Sequence, residues 1–307
     1  MKNTIKILLI VLISPAIIIK ANANFSSDYA GTSSGQFLKI GPSPRANGMG
    51  TAFTAITDDS SSIYWNPAGL LNIKTKEIGF THASLFEDIN YDWLGYAKTT
   101  KWGAMGIGFQ YLNYDDITTR DTSGAATGKI TPKDMAATLS LAKEIQSAYL
   151  GINIKYIYSK IDNSATAFAL DIGAQYKQLL DKKLKIGFVA QNLGTKIKYS
   201  DISETLPITL KLGAGYEITN NLILSADIGF PKDAQSYTAV GGEYSHSFGE
   251  NTKGAIRAGY NTISKDLKSS GFSAGFGIYY KSIKFDYSYS SMGDLDGINR
   301  FGISLDF

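Results

Sequence analysis

The strongest constraint on this chain is a period-two alternation of apolar with polar or small residues, repeated in fourteen separate runs from residue 76 to the end. Successive side chains of a strand point to opposite faces, so each such run reads as a strand with two unlike faces. In the last run Phe301, Ile303, Leu305 and Phe307 share one face, and Arg300, Gly302, Ser304 and Asp306 the other. Ile283, Phe285, Tyr287 and Tyr289 likewise alternate with Lys284, Asp286, Ser288 and Ser290. The runs fall near 76–85, 91–99, 103–112, 135–143, 147–159, 164–176, 183–193, 206–217, 222–230, 237–246, 253–261, 271–280, 282–290 and 298–307.

Most of these runs have the length that a tilted strand needs to cross a bilayer, and their number is even, as in bacterial outer-membrane barrels. The longest connections, 113–134, 194–205, 262–270 and 291–297, are all odd-numbered from the first hairpin, which puts them on one side. Several even connections shrink to a turn, as at Lys281. No stretch after the N-terminus approaches the ~20 apolar residues of a spanning helix. A soluble β-sandwich alternates as well, but here the apolar faces end in aromatic residues and the opposite faces combine charge with glycine. The expected fold is all-β: a transmembrane antiparallel barrel of about fourteen strands.

The N-terminus reads as a secretory signal. Lys2 and Lys6 precede an apolar run, Ile7 to Ile19, followed by Ala21-Asn22-Ala23, a small-x-small cleavage pattern. The run is short for a membrane anchor and contains Pro15. Cleavage after Ala23 makes Asn24 the mature N-terminus. Of the 30 basic residues, Lys2, Lys6 and Lys20 lie in the signal, so those remaining equal the 27 acids. No basic patch is then left for a nucleic-acid partner.

Chemistry-bearing residues are scarce. There is no Cys, which removes thiolate metal sites and cysteine nucleophiles, and only His82 and His246 are present. His82 shares parity with Ile78 and Phe80, and His246 stands at a strand end, so both read as interfacial or turn residues. The expectation is a protein without a catalytic site, metal or cofactor.

Residues 24–75 do not alternate. Gly48-Met49-Gly50 allows a bend or close packing, but the further Gly and Lys of a nucleotide loop are missing. Asp58 or Asp59 can cap a short helix beginning at Ser60, a reading preferred to a metal-binding pair. Asn66-Pro67-Ala68-Gly69 has the residue preferences of a type I turn. Barrels of about eight strands fill with side chains while sixteen or more leave a channel, so fourteen strands without a filling would leak. Residues 24–75, with Phe53, Ile56, Trp65 and Leu70 as apolar anchors, are expected to fill the lumen as a hatch, and could also line a route for a greasy ligand. The expected organisation is signal peptide 1–23, hatch 24–75 and barrel 76–307.

The run from Phe37 to Leu70 resembles the signature of the PorV/PorQ family, relatives of the FadL-type outer-membrane proteins. The likeness rests on Phe37-Leu38-Lys39-Ile40, Arg45-Ala46, Gly48-Met49-Gly50, Asp58-Asp59 and Asn66-Pro67-Ala68-Gly69-Leu70. Trp65 adjoins the last of these, and Asn66-Pro67-Ala68 also looks like the hatch box of FadL-type transporters. The family often has Gly-Gly where this chain has Gly50-Thr51. The pattern Arg300-x-Gly302-x-x-Leu305-x-Phe307 is similar to the terminal signal read by the barrel-assembly machinery. The resemblance implies residence in the outer membrane of a diderm bacterium, surrounded by its lipid, and passive transport of hydrophobic small molecules. The alternative it implies is a type IX-like secretion component that binds exported proteins.

Overall fold

The computed structural model describes residues 32–86, 89–263, 271–291 and 297–307. The expected signal peptide, its cleavage after Ala23 and the start at Asn24 lie outside them.

The alternating runs form strands as read. In chain order they begin with β1 (Lys76–Ser84), β2 (Asn90–Thr100) and β3 (Gly103–Asn113), then a small hairpin, β4 (Ile117–Arg120) and β5 (Ala126–Ile130). There follow β6 (Lys133–Ile145), β7 (Ala148–Lys160), β8 (Ser164–Leu179) and β9 (Leu184–Gly194), and a second small hairpin, β10 (Ile197–Lys198) and β11 (Ser203–Glu204). The chain ends with β12 (Thr209–Thr219), β13 (Leu222–Pro231), β14 (Tyr237–Ser247), β15 (Thr252–Asn261), β16 (Phe272–Tyr280), β17 (Ile283–Ser290) and β18 (Ile298–Asp306). All but the two hairpins close into one antiparallel barrel of fourteen strands. The seam joins β1 to β18 from Glu77 opposite Asp306 to Ser84 opposite Asn299. Closure leaves no unpaired edge, which is what a spanning sheet requires.

The two faces separate cleanly. Leu94, Ile107, Leu139, Ile154, Phe168 and Ile303 are exposed on the outer wall, where lipid replaces water. Residues of the alternate parity point inward and are buried, among them Gln110, Ser140, Asn153, Asp171 and Arg257. Short turns occupy one rim: Lys281, between β16 and β17, has φ 52°, and Gln146, between β6 and β7, has φ 55°. The two hairpins stand in connections on the opposite rim, so the long-loop and short-turn ends are distinct. Both hairpins are elements that the alternation did not announce, because each has strands of five residues or fewer.

Residues 33–73 pack inside the barrel. They hold only short elements: 3-10 turns at Gln36–Lys39 and Pro67–Asn72, and helical turns at Pro44–Gly48 and Ser62–Trp65. Too little backbone is paired within the segment for it to satisfy its own polar groups, so the wall completes the pairing. Ser225 donates to the Ala52 carbonyl (2.6 Å), Asn153 to that of Ile63 (2.7 Å) and Gln191 to that of Tyr64 (2.7 Å). Asp227 accepts the Phe53 and Thr54 amides at 3.1 and 3.0 Å.

Candidate functional site

The interior is organised around three places where residues 33–73 meet the wall. At the long-loop end, Ser34 donates to the Thr205 carbonyl (3.1 Å), and Gln36 and Lys39 both reach Asp233 (2.6 and 3.0 Å). These polar ties hold Phe37 and Leu38 in an apolar cluster with Tyr91, Leu112, Ile157 and Leu206. The cluster continues along the inner faces of β2, β3 and β6, through Ile63 and Leu70, to Ile73, Ala104 and Ala142 near the short turns. A buried apolar strip therefore runs most of the barrel's height, in a lumen whose other inward residues include Lys155, Asp171, Lys211 and Asp227. A second cluster, with Met49, Phe53, Ile56, Tyr64 and Trp65, packs the other side.

The middle is held by Asn66. Its φ of −166° and ψ of 107° are extended, as the residue before a proline must be. The side-chain oxygen accepts from the Ala68 amide (3.2 Å), while the Gly69 amide bonds the Asn66 carbonyl (2.9 Å). The expected turn at Asn66–Gly69 is thus present and opens the 3-10 turn that follows. The Asn66 amide nitrogen donates to the carbonyls of Thr54 (2.9 Å), Ala174 in β8 (3.1 Å) and Phe188 in β9 (3.3 Å). Asn66 and Pro67 come this close because the wall offers no side chain there: a Cβ at Gly173 would stand 2.8 Å from Pro67 Cδ. Ala68 is fully buried, and Gly69 lies against Thr57, so the whole box is packed. Trp65 donates to the Pro42 carbonyl (2.9 Å) and meets Phe53 edge-on.

At the short-turn end a cavity of about 720 Å³ opens between the segment and the wall. Arg45 occupies its inner end. Its Nε and Nη2 bind the two Glu243 oxygens at 2.8 and 3.0 Å, and Nη1 pairs with Asp58 and lies 3.8 Å from Asp59. Glu243 also accepts from Arg257 Nε (2.6 Å), and Arg257 bonds Asp286 (2.7 Å) and the Tyr279 hydroxyl. Across the cavity, Lys284 bridges Glu77 and Asp306 at 2.8 and 2.9 Å, and Glu77 accepts the Ser60 amide (2.6 Å). Burial alone would lower the Arg45 pKa; Asp58 and Glu243 outweigh it and hold the guanidinium charged. Burial, reinforced by neighbouring Asp58, pushes Asp59 up, with Arg45 opposing.

The predicted helix start needs correction. The helical turn is Ser62–Trp65 with Ser61 at its N-cap and no side-chain cap bond. Asp59 instead accepts the Ser61 amide (2.9 Å) in a turn just before it, and Asp58 turns to Arg45 because that cation lies within reach. Gly48 approaches the Gly275 backbone, and the Gly50 amide donates to Ser273 (3.0 Å), with Met49 fully buried between them. Where the family often has a second Gly, Thr51 keeps a left-handed φ of 70°. The terminal residues stand apart from this site. Gly302 faces inward beside Pro44, Leu305 is exposed on the outer wall, and the Phe307 amide bonds the Lys76 carbonyl (3.1 Å) at the seam. His82 faces outward and bonds Asp92 (2.8 Å), whereas His246 stacks edge-on against Phe248.

Glu243, Arg257, Asp286, Asp227 and Lys284 were not among the residues singled out from sequence. A signal for them existed: each is a charged residue at an inward parity position of a membrane strand, where it needs a partner.

The fold is shared with solved barrels. The toluene transporter TodX of Pseudomonas putida superposes with a TM-score of 0.59 at 10% identity, over 86% of this chain and 96% of that one. The toluene transporter TbuX of Ralstonia pickettii gives 0.59 at 12%, over 87% and 98%. A FadL homologue of Pseudomonas aeruginosa gives 0.54 at 11%, over 85% and 97%. A UPF0164 protein of Treponema pallidum is 29% identical over 171 residues, which are 52% of this chain and 43% of that protein, so the chain spans less than half of its relative. The family described as type IX secretion system protein PorV matches residues 24–228, two thirds of the sequence and all of the N-terminal signature. This chain belongs to the PorV family.

Proposed function

We propose that this protein is an outer-membrane barrel, exported by a cleaved signal, that lets hydrophobic small molecules pass passively across the outer membrane. The observation that carries this reading is the buried apolar strip from Phe37 and Leu38 to Ile73, which runs beside inward Lys155, Asp171, Lys211 and Asp227. Where the N-terminal segment moves aside, an apolar solute gains about 25 cal/mol for each Å² it buries along the strip so uncovered, which a water-filled pore does not offer. The barrels TodX and TbuX, which share this fold, are toluene transporters.

Residues 33–73 act as the hatch. Pro67 and the three carbonyls bound by Asn66 fix its middle, and Arg45 fixes its short-turn end. Replacing Asn66 and Pro67 together by Ala should raise conductance in planar bilayers while leaving a heat-modifiable barrel, because the wall closes its own hydrogen bonds. A fatty-acid-like or aromatic hydrocarbon probe should protect residues 33–73 of the parent from limited proteolysis, and the double variant should lose that protection. Unchanged conductance with no protection in the parent would refute the transport reading. Co-purification of exported proteins in that case would point to secretion instead.

A further inference from the structure

Folding gathers several basic residues from distant parts of the sequence at the short-turn rim. Lys101 sits in the turn between β2 and β3, and its ammonium lies 5.2 Å from the Trp102 ring centre. Lys281 stands over Tyr280 (5.4 Å) and Lys76 over Phe307 (5.3 Å) at the same rim. Aromatic rings at this level mark the bilayer interface, and lysines beside them place their charge among the headgroups.

One point on this rim is more than a charged edge. On the outer wall a groove of about 410 Å³ runs between Trp102 and the strands β6 and β7. Met105, Leu141, Leu150 and Ile152 form its sides and are all exposed on the lipid-facing surface. Its floor is the backbone of β3, β6 and β7, because Ala104, Ala142 and Gly151 lie on the inward parity and leave only main chain between the outward side chains. Trp102, 77% exposed, stands out from the wall and bounds it on the turn side. Lys143, on the same outward parity as Leu141, closes the rim end, and Lys101 lies beside Trp102. Among the described residues neither lysine has a carboxylate within ion-pair distance, and Glu144 takes the opposite parity.

We propose that this groove is a binding site for one anionic phospholipid of the leaflet at the short-turn side. An acyl chain lies along Met105, Leu141, Leu150 and Ile152, Trp102 packs at the glycerol level, and Lys143 and Lys101 hold the phosphate-bearing headgroup. Any barrel wall touches lipid, but a flat wall does not choose among lipids. A concave apolar track ending in two uncompensated cations does, since each lysine near an anionic surface gives about fivefold enrichment, corresponding to about 1 kcal/mol. The site is independent of what passes through the lumen, and it rests on the spanning barrel alone.

The protein carries its own reporter. Of its three tryptophans, Trp65 and Trp93 are buried and Trp102 is exposed. The full-length protein is reconstituted in mixed phosphatidylglycerol and phosphatidylethanolamine vesicles, with bromine on the acyl chains of one lipid at a time. Brominated phosphatidylglycerol should quench Trp102 several-fold more per molecule than brominated phosphatidylethanolamine, with the W102F variant supplying the baseline. The K101Q/K143Q variant should bring that ratio to one, keep its heat-modifiable fold, and keep its total quenching when both lipids are brominated. Equal quenching by the two lipids in the parent overturns the site. A preference that survives in K101Q/K143Q overturns the assignment of the headgroup to these lysines.

Discussion

Arg45 and Glu243 meet side-on, with Nε–Oε2 at 2.8 Å and Nη2–Oε1 at 3.0 Å, although 198 residues separate them in sequence. Arg257 binds the same carboxylate at 2.6 Å, so one wall glutamate serves one cation from the N-terminal segment and one from the wall. A planar guanidinium matches a carboxylate in this way and a lysine would not.

That sharing sets the first prediction. E243Q leaves two guanidiniums short of charge, whereas R45Q frees Glu243 for Arg257 alone, so E243Q should loosen the segment more. The coupling between Arg45 and Glu243 in a double-mutant cycle should fall at about 0.5–3 kcal/mol. Amide hydrogen exchange from Ala46 to Phe53 in reconstituted protein measures it, and a coupling of zero would show that the latch is ornamental.

Asp58 and Asp59 should respond differently to removal of charge. D58N loses the ion pair with Arg45, worth under about 1 kcal/mol at a position this exposed. D59N keeps an oxygen for the Ser61 amide and removes a charge that burial disfavours, so it should be neutral or slightly stabilising. The sign follows from the raised pKa: stability from this group is fully present at low pH and is lost as the pH rises through its folded value. The same exchange experiment ranks the two variants, and a D59N more open than D58N contradicts the assignment.

Thr51 occupies the left-handed region at φ 70°, and its hydroxyl has no hydrogen-bond partner among the described residues. A β-branched residue pays about 1–3 kcal/mol for such a conformation. T51G should therefore raise the temperature at which the barrel loses its heat-modifiable form, or slow opening of residues 46–53, without altering conductance.

Gly173 gives the opposite case. A leucine there has no room beside Asn66 and Pro67, and overpacking typically costs about 1–3 kcal/mol. G173L should still assemble a barrel but leave residues 66–69 open to protease and raise conductance. A protected segment in G173L would show that the wall yields more readily than the contact implies.

In the hairpin of β4 and β5, Asp121 accepts from the Ser123 amide (2.9 Å), the Ser123 hydroxyl (2.6 Å) and the Ala125 amide (3.0 Å). The Ser123 hydroxyl first, then the Ala125 amide, lower its pKa below the ordinary carboxylate value. The tip is therefore held at pH above about 4 and loosens as the pH falls through the lowered value. A carboxyl-carbon NMR titration should place the Asp121 midpoint below that of an unfolded Asp.

The barrel was legible in the sequence because a strand writes its two environments onto alternate residues, and lipid outside with polar packing inside are as unlike as environments get. All fourteen runs became wall strands for that reason. Residues 33–73 write no period, since their partners are wall side chains far along the chain. The type I turn at Asn66–Gly69 could be read because proline and glycine fix it locally. The start of the helical turn at Ser62 could not, because Arg45 draws Asp58 away and Glu77 takes the Ser60 amide. For Glu243 and Arg257 the sequence shows a charge at an inward position but not its partner, because that pairing exists only once β14 and β15 lie beside the helical turn at Pro44–Gly48.

The way the wall completes the segment's hydrogen bonds bears on the order of assembly. Ser225, Asp227, Asn153 and Gln191 supply partners that residues 52–64 lack by themselves, from 90 to 174 residues downstream. Until β7, β9 and β13 stand in place, the segment has no conformation of its own to adopt. It cannot be a preformed cork inserted into a finished tube. The segment takes its final shape only against the assembled wall, which completes its hydrogen bonds. Grafted into another barrel, the same residues would be an unstructured leader.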